Sequence, residues 1–354
     1  MATFNASEVN LHTASKADVL CYYATSEKDY NGHLGARVSS IFVILFVSTA
    51  FTFFPVVAKD LPAWKIPHNV YIFARYFGTG VILATAFIHL LDPAYKRIGP
   101  KTCVGVSGYW AEYSWCAAIV LGSVVAIFLL DLAAEVYVER KYGIERDETA
   151  TAAFISQSPN SQPPNNLECA TKEPTLQRSL SPSEDIAMKS ARSFDQQIAA
   201  FLILEFGIIF HSVIIGLNLG VTGSEFATLY PVLVFHQSFE GLGIGARLSV
   251  IPFAQHKTLP YMLCLAYGLT TPISIAIGLG LRTTYNPKSK ESLIIQGVFN
   301  AVSAGVLIYS ALVELLARDF LFDPDRTRKR SKLVHMVACV LLGAGIMALI
   351  GKWA

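Results

Sequence analysis

The chain has 354 residues, of which 53% are hydrophobic and only 15% charged, and its formal net charge is +2. A soluble domain carries about 25% charged residues, so this composition excludes an ordinary water-soluble protein. The small net charge gives no electrostatic footprint for a nucleic-acid partner.

Residues 1–37 are polar and read as an extracytoplasmic tail. The tail has no early apolar core, so no cleavable signal peptide is expected, and it carries the glycosylation sequon Asn5-Ala6-Ser7. About 20 apolar residues cross the hydrocarbon core of a bilayer as a helix. Eight stretches meet that length: 38–58, 71–92, 113–136, 197–220, 226–248, 259–281, 292–316 and 333–352. They are continuous rather than alternating, unlike the strands of a membrane barrel. The expected fold class is therefore an all-α membrane protein with eight transmembrane helices, helices 1–3 in residues 38–138 and helices 4–8 in 196–354. Between them, residues 139–195 are rich in Ser, Pro, Asn and Gln (SQSPNSQPPNN, SLSPSED). Such a stretch cannot bury enough apolar surface to offset its ordering entropy, so a disordered cytosolic loop is expected. It holds no His and one Cys, Cys169, which argues against metal chelation there and leaves its Ser-Pro sites as phosphorylation candidates. Pro231 and Pro272 are expected to kink helices five and six. With the N-terminus outside, the cytosolic segments hold seventeen Lys and Arg and the outer segments ten. The positive-inside rule then puts both termini outside.

Helices four and five carry the chemistry. The segments His211-Ser-Val-Ile-Ile-Gly216 and His236-Gln-Ser-Phe-Glu-Gly241 lie in the middle of their apolar runs. A histidine or carboxylate near the bilayer centre costs several kcal/mol unless it has a partner, and such residues mark ion pathways. A single intramembrane histidine is as readily explained by a hydrogen bond to a neighbouring carbonyl; two histidines and a glutamate in matching positions of adjacent helices are not. His236 and Glu240 are four apart, one helical turn above each other on one face. If the two helices pack together, His211, His236 and Glu240 converge. Two imidazoles and a carboxylate suit Zn²⁺, and also Fe²⁺ or Mn²⁺. Gly216 and Gly241 let neighbouring helices approach closely. The HxxxE spacing differs from the HExxH of zinc proteases and does not by itself name an enzyme.

Five segments, FIHLLDPAY (87–95), HSVIIGLNLG (211–220), HQSFEGLGIGARL (236–248), LAYGLTTPISIAIGLG (265–280) and GVLIYSALVELLARDF (305–320), resemble the ZIP (Zrt/Irt-like) family of divalent metal transporters, its fungal zinc-uptake branch in particular. The resemblance implies a bundle in which helices 1–3 and 6–8 are related by an inverted repeat around central helices 4 and 5. It also implies that His211, His236 and Glu240 ligate metal, that Ser212 and Gln237 contribute to a second subsite, and that the membrane is the plasma membrane. The family's loop between helices three and four is often histidine-rich; here it is not. No prosthetic group is expected, and zinc is the transported substrate, with Fe, Mn and Cd as further candidate cargoes. The remaining partner is the lipid bilayer, and a homodimer is left open.

Other polar residues are candidates for the pathway. His89 and Asp92 share a face near the outer end of helix two and suggest an entrance relay. Glu205 lies seven residues before Ser212 on nearly the same face; its alternative is a hydrogen bond to Gln196 or to a neighbouring helix. Asn300 and Ser303, in helix seven, face the bundle core in this reading. Glu314 precedes Arg318 by four residues, the spacing of a helix-end ion pair. Of the six cysteines, only Cys21 and Cys103 face outward, where oxidation is allowed, so a disulfide between them is a candidate. The expected mechanism is alternating access. Neutral histidines are needed for binding, so protons should compete with metal as pH falls toward about 6. An intramembrane zinc hydrolase with the same ligands is the alternative from another class.

Overall fold

Within lipid, each backbone N–H and C=O must find a partner inside its own segment, and every long apolar run here is helical. The computed structural model describes residues 10, 13–24, 30–61, 67–142, 182–253, 256–322, 327 and 329–353. Among them there is no strand. The elements are α1 (Lys16–Ala24), α2 (Leu34–Asp60), α3 (His68–Ala84), a π-helical stretch (Thr85–Leu91), α4 (Asp92–Ile98), α5 (Tyr109–Glu112), α6 (Trp115–Tyr142), α7 (Pro182–Val221), α8 (Phe226–Val250), α9 (Leu259–Gly280), α10 (Lys290–Tyr309), a second π stretch (Ser310–Phe322) and α11 (Arg330–Ile350). Helix two of the sequence reading is α3 with its π turn and α4. Helix seven is α10 with the second π stretch.

Among the described residues, seven helical segments are long and apolar enough to cross a membrane. The eighth expected helix, α8, has 25 residues but carries His236, Gln237, Ser238, Glu240 and Arg247, which lower its hydropathy below that of the other seven. Residues 143–181 of the expected disordered loop, with Cys169, lie outside the described residues, as does the Asn5 sequon. Residues 182–195 of that segment are helical and extend α7. There Lys141 pairs with Asp195 at 2.6 Å, and Gln196 donates to Glu135 at 2.9 Å, which ties α6 to α7.

The packing has an internal two-fold logic. The second spanning unit packs on the eighth and the third on the seventh; the first packs on the fifth and the sixth on the fourth; the first and sixth pack on each other. Exchanging 1–3 with 6–8 and 4 with 5 maps this contact pattern onto itself. An inverted repeat around the central pair would produce this pattern. Close approach depends on small residues. Gly78 of α3 meets Gly243 of α8 backbone to backbone; a Cβ on Gly78 would lie 2.2 Å from the Gly243 Cα. Gly216 faces Ser274 and Thr271 of α9, and Gly241 faces Thr52 and Ser48 of α2. α6 lies at the periphery, with only 11% of its apolar window buried.

Arg37, counted above with the outer tail, sits inside α2 and is fully buried. Its guanidinium donates to the carbonyls of Leu219 at 3.1 Å, Gly220 at 3.3 Å and Thr222, and to the Asn31 side chain. It stacks between the rings of Tyr30 and Phe226. A cation at the C-terminal carbonyls of α7 satisfies groups that a helix end leaves open, and it fastens α2 to the α7–α8 hairpin.

Candidate metal centre

His211 enters from α7, and His236 and Glu240 enter from α8. All three are buried, with relative exposures of 4%, 1% and 0%. Their ligand atoms lie within 4.8 Å of one another. His211 Nε2 stands 3.3 Å from His236 Nε2, and His236 Nε2 stands 3.4 Å from Glu240 Oε1. Two atoms each bound at about 2.0–2.1 Å to one tetrahedral zinc are separated by about 3.3 Å, so these spacings are those of donors around a common ion. Both Glu240 carboxylate oxygens, His236 Nδ1 and Ser212 Oγ are buried without a hydrogen-bond partner. Buried polar atoms are rarely left in that state, and an ion between these donors would use the carboxylate.

The second-subsite residues are placed differently. Ser212 is buried beside His211. Gln237 turns toward α9: its Oε1 accepts from the Tyr267 hydroxyl at 2.6 Å, and its Nε2 donates to Thr271 Oγ1. A metal role for Gln237 requires its amide to leave these bonds.

A cavity of about 400 Å³ runs from one end of the bundle to His211 and His236. Its mouth is formed by Thr222 and Glu225 after α7, by Pro287 and Lys288 before α10, and by Gly351. His89, Asp92 and Asn300 all line it. The His89 ring lies 4.9 Å from that of His236, and its Nε2 is 3.2 Å from the Met347 carbonyl. It thus belongs to the cavity floor rather than the rim. Asp92 is half exposed and pairs with Lys96 at 2.7 Å. Asn218 and Gln296 line the same wall and share a hydrogen bond of 3.1 Å. The sequence reading missed both, although Asn218 lies seven residues after His211 and Gln296 four before Asn300, on the same helix faces.

The opposite half is closed. Leu204, Ile208, Ile244 and Leu248 are buried to 1% or less and pack in one apolar cluster. Glu205 does not reach Gln196; both its oxygens are buried and without a hydrogen bond. Ser303 Oγ is in the same condition. The Glu314–Arg318 pair does not form: Glu314 is buried in the π stretch while Arg318 points outward. Beyond this seal, Asp319 accepts from Arg75 at 2.6 Å and lies 3.5 Å from Arg247, which also donates to Thr79 at 2.9 Å. The two π stretches thus carry His89 at the cavity floor and Glu314 and Asp319 at the closed end. Such turns recur at functional positions.

At the mouth end, the sulfurs of Cys21 and Cys103 are bonded, joining α1 to the loop after α4.

Comparison with known proteins gives similarity along nearly the whole chain. The sequence profile described as ZIP zinc transporter matches residues 34–351. Zinc-regulated transporter 1 of Saccharomyces cerevisiae is 57% identical over 337 residues, covering 92% of this chain and 89% of that protein. Zinc-regulated transporter 1 of Schizosaccharomyces pombe is 42% identical, with 96% and 90% covered. Zinc transporter 3 of Arabidopsis thaliana is 32% identical, with 100% and 94% covered.

Proposed function

Because the chain belongs to the ZIP zinc transporter family, we propose that it carries zinc across a membrane into the cytoplasm through the His211, His236 and Glu240 site. The chain is a multi-pass membrane protein and, in this reading, a transporter rather than an enzyme. The observation that carries the proposal is the meeting of three buried donors at spacings suited to one ion, two of them, His211 and His236, lining the cavity.

The ion sheds water in the cavity, where His89, Asp92 and Asn300 line the approach. It then takes two imidazoles and a carboxylate in place of its hydration shell. Glu240 cancels part of the ion's charge, which neutral ligands alone cannot do. Release requires the apolar plug of Leu204, Ile208, Ile244 and Leu248 to part, after which Glu205 is the next carboxylate along α7. The excess of Lys and Arg at the closed end makes that end cytosolic, so the cavity faces outward. The site also suits departure. A histidine that holds a resident metal almost always hydrogen-bonds through its second ring nitrogen, a contact worth 10–100-fold in affinity, and His236 Nδ1 has none. This favours transport over the hydrolase alternative. The similarity to the yeast zinc-regulated transporters supports zinc ahead of iron, manganese or cadmium, and supports a plasma-membrane location.

The test is uptake of radioactive zinc by zinc-starved cells. His236→Ala and Glu240→Ala should each abolish uptake at unchanged surface expression. Uptake at the wild-type level in both variants ends the proposal.

A further inference from the structure

The cavity above the metal ligands has the wrong electrostatics for a funnel that handles a bare cation. Among the described residues, its charged lining consists of Asp92 and Glu225 against Lys96, Arg97 and Lys288. Asp92 and Lys96 neutralise each other at 2.7 Å, leaving two cations against one anion. A cleft that gathers a divalent cation by charge alone carries the opposite sign. The Arg97 guanidinium and the Lys288 ammonium make no ion pair or hydrogen bond with any described residue. Asn300, only 3% exposed, lines the floor with no hydrogen bond to its amide. The volume of about 400 Å³ lies in the range of small-molecule pockets, about 300–1,000 Å³, and far exceeds one ion.

We infer that the vestibule receives zinc together with a small carboxylate anion, held by Arg97 and Lys288 with Asn300 beneath. The inference rests on the transport reading and names the form in which the cargo is met. The chemistry is complementary at each point. A guanidinium is a planar fork that accepts a carboxylate through two parallel hydrogen bonds. Zinc with two neutral imidazoles and one carboxylate keeps one positive charge and an open fourth position. A carboxylate that reaches from Arg97 to the ion fills that position and removes the charge. It also explains why two unpaired cations stand over a cation site: they repel the free ion less than they attract the anion that comes with it.

The experiment measures zinc uptake into proteoliposomes holding the purified full chain, with free Zn²⁺ clamped by a zinc buffer at a subsaturating level and citrate as the carboxylate probe. In the wild type, citrate should raise uptake about fivefold or more, the lower end of ordinary coupling between two ligands. In Arg97→Gln and Lys288→Gln the ratio of uptake with citrate to uptake without it should fall to about one. Lys288 lies in a loop outside the helices, so its variant keeps the test valid if Arg97→Gln fails to fold. Wild-type uptake that follows free zinc alone, or an undiminished citrate response in a folded variant, overturns the inference. Failure of the transport reading looks different: no uptake above that of His236→Ala, with or without citrate.

Discussion

His211, His236 and Glu240 lie close enough for one ion, and the Glu240 carboxylate and His236 Nδ1 are held there by burial without a hydrogen-bond partner. Glu205 shows the same economy farther in. A carboxylate with both oxygens unsatisfied in an apolar cluster is costly to keep, by about 1–3 kcal/mol or more, so its retention points to use. Glu205→Gln is expected to cut the maximal rate of zinc uptake about tenfold or more while leaving zinc binding to the purified protein within about threefold; an unchanged rate removes Glu205 from the pathway. Tyr267→Phe removes the hydroxyl that holds Gln237. It should cost about 1 kcal/mol, read as a small fall in the thermal unfolding midpoint. The meeting of His236 and Glu240 was legible in the sequence because one helical turn separates them, and no other element is needed to bring those two together. The aim of Gln237 was not, since Tyr267 and Thr271 come from a different helix. Nor was the isolation of Glu314 from Arg318, because the i, i+4 rule assumes a surface stretch of regular α-helix, whereas Glu314 is buried in a π stretch.

Among the elements, α8 is the one whose placement decides the site. It touches α3 through Gly78 and Gly243 and α2 through Gly241, so two close contacts directly follow the turn that bears His236 and Glu240. Gly243→Val or Gly241→Val should therefore separate the helices and abolish the monodisperse peak in fluorescence-detected size exclusion. Gly280→Ala, at a position with nothing within 4 Å of a new Cβ, should behave as the wild type, because substitutions away from packed features usually stay within about 0.5 kcal/mol. The long apolar runs made the spanning helices visible, yet their ends were set by contacts that hydropathy does not report. α7 runs back to Pro182, and α2 runs back to Leu34 and so includes Arg37, whose guanidinium caps the carbonyl end of α7. The two π stretches left no mark in the apolar pattern.

At the scale of the whole molecule, the bundle is hollow at one end and sealed at the other, and the seal is electrostatic as well as apolar. Asp319 joins α3 and α8 to the second π stretch through Arg75 and Arg247. Removing one partner of a buried ion pair costs about 3–5 kcal/mol because it strands the other. Arg75 is partly exposed, so Asp319→Ala should lie near the lower figure, seen as a lower melting midpoint in detergent. If the pair holds the far end shut, a cysteine placed at Ser303 should also react faster with a membrane-impermeant thiol reagent applied from the cytosolic side; equal reaction rates would reduce the network to a structural role. The all-helical membrane plan was within reach of the apolar runs; the pseudo-symmetry was implied only by the family resemblance. The vestibule was not, for its walls come from five separate segments. One covalent detail carries a further meaning. The Cys21–Cys103 bridge ties the short N-terminal helix to the loop that follows α4, a helix that walls the vestibule, whereas Cys116, Cys264 and Cys339 remain free and buried. Cystines endure in secretory and extracellular surroundings and are undone by cytosolic thiols, so the polypeptide wears a chemical label of sidedness. A molecule inserted upside down would lose that clasp and leave the lip of its own doorway untethered.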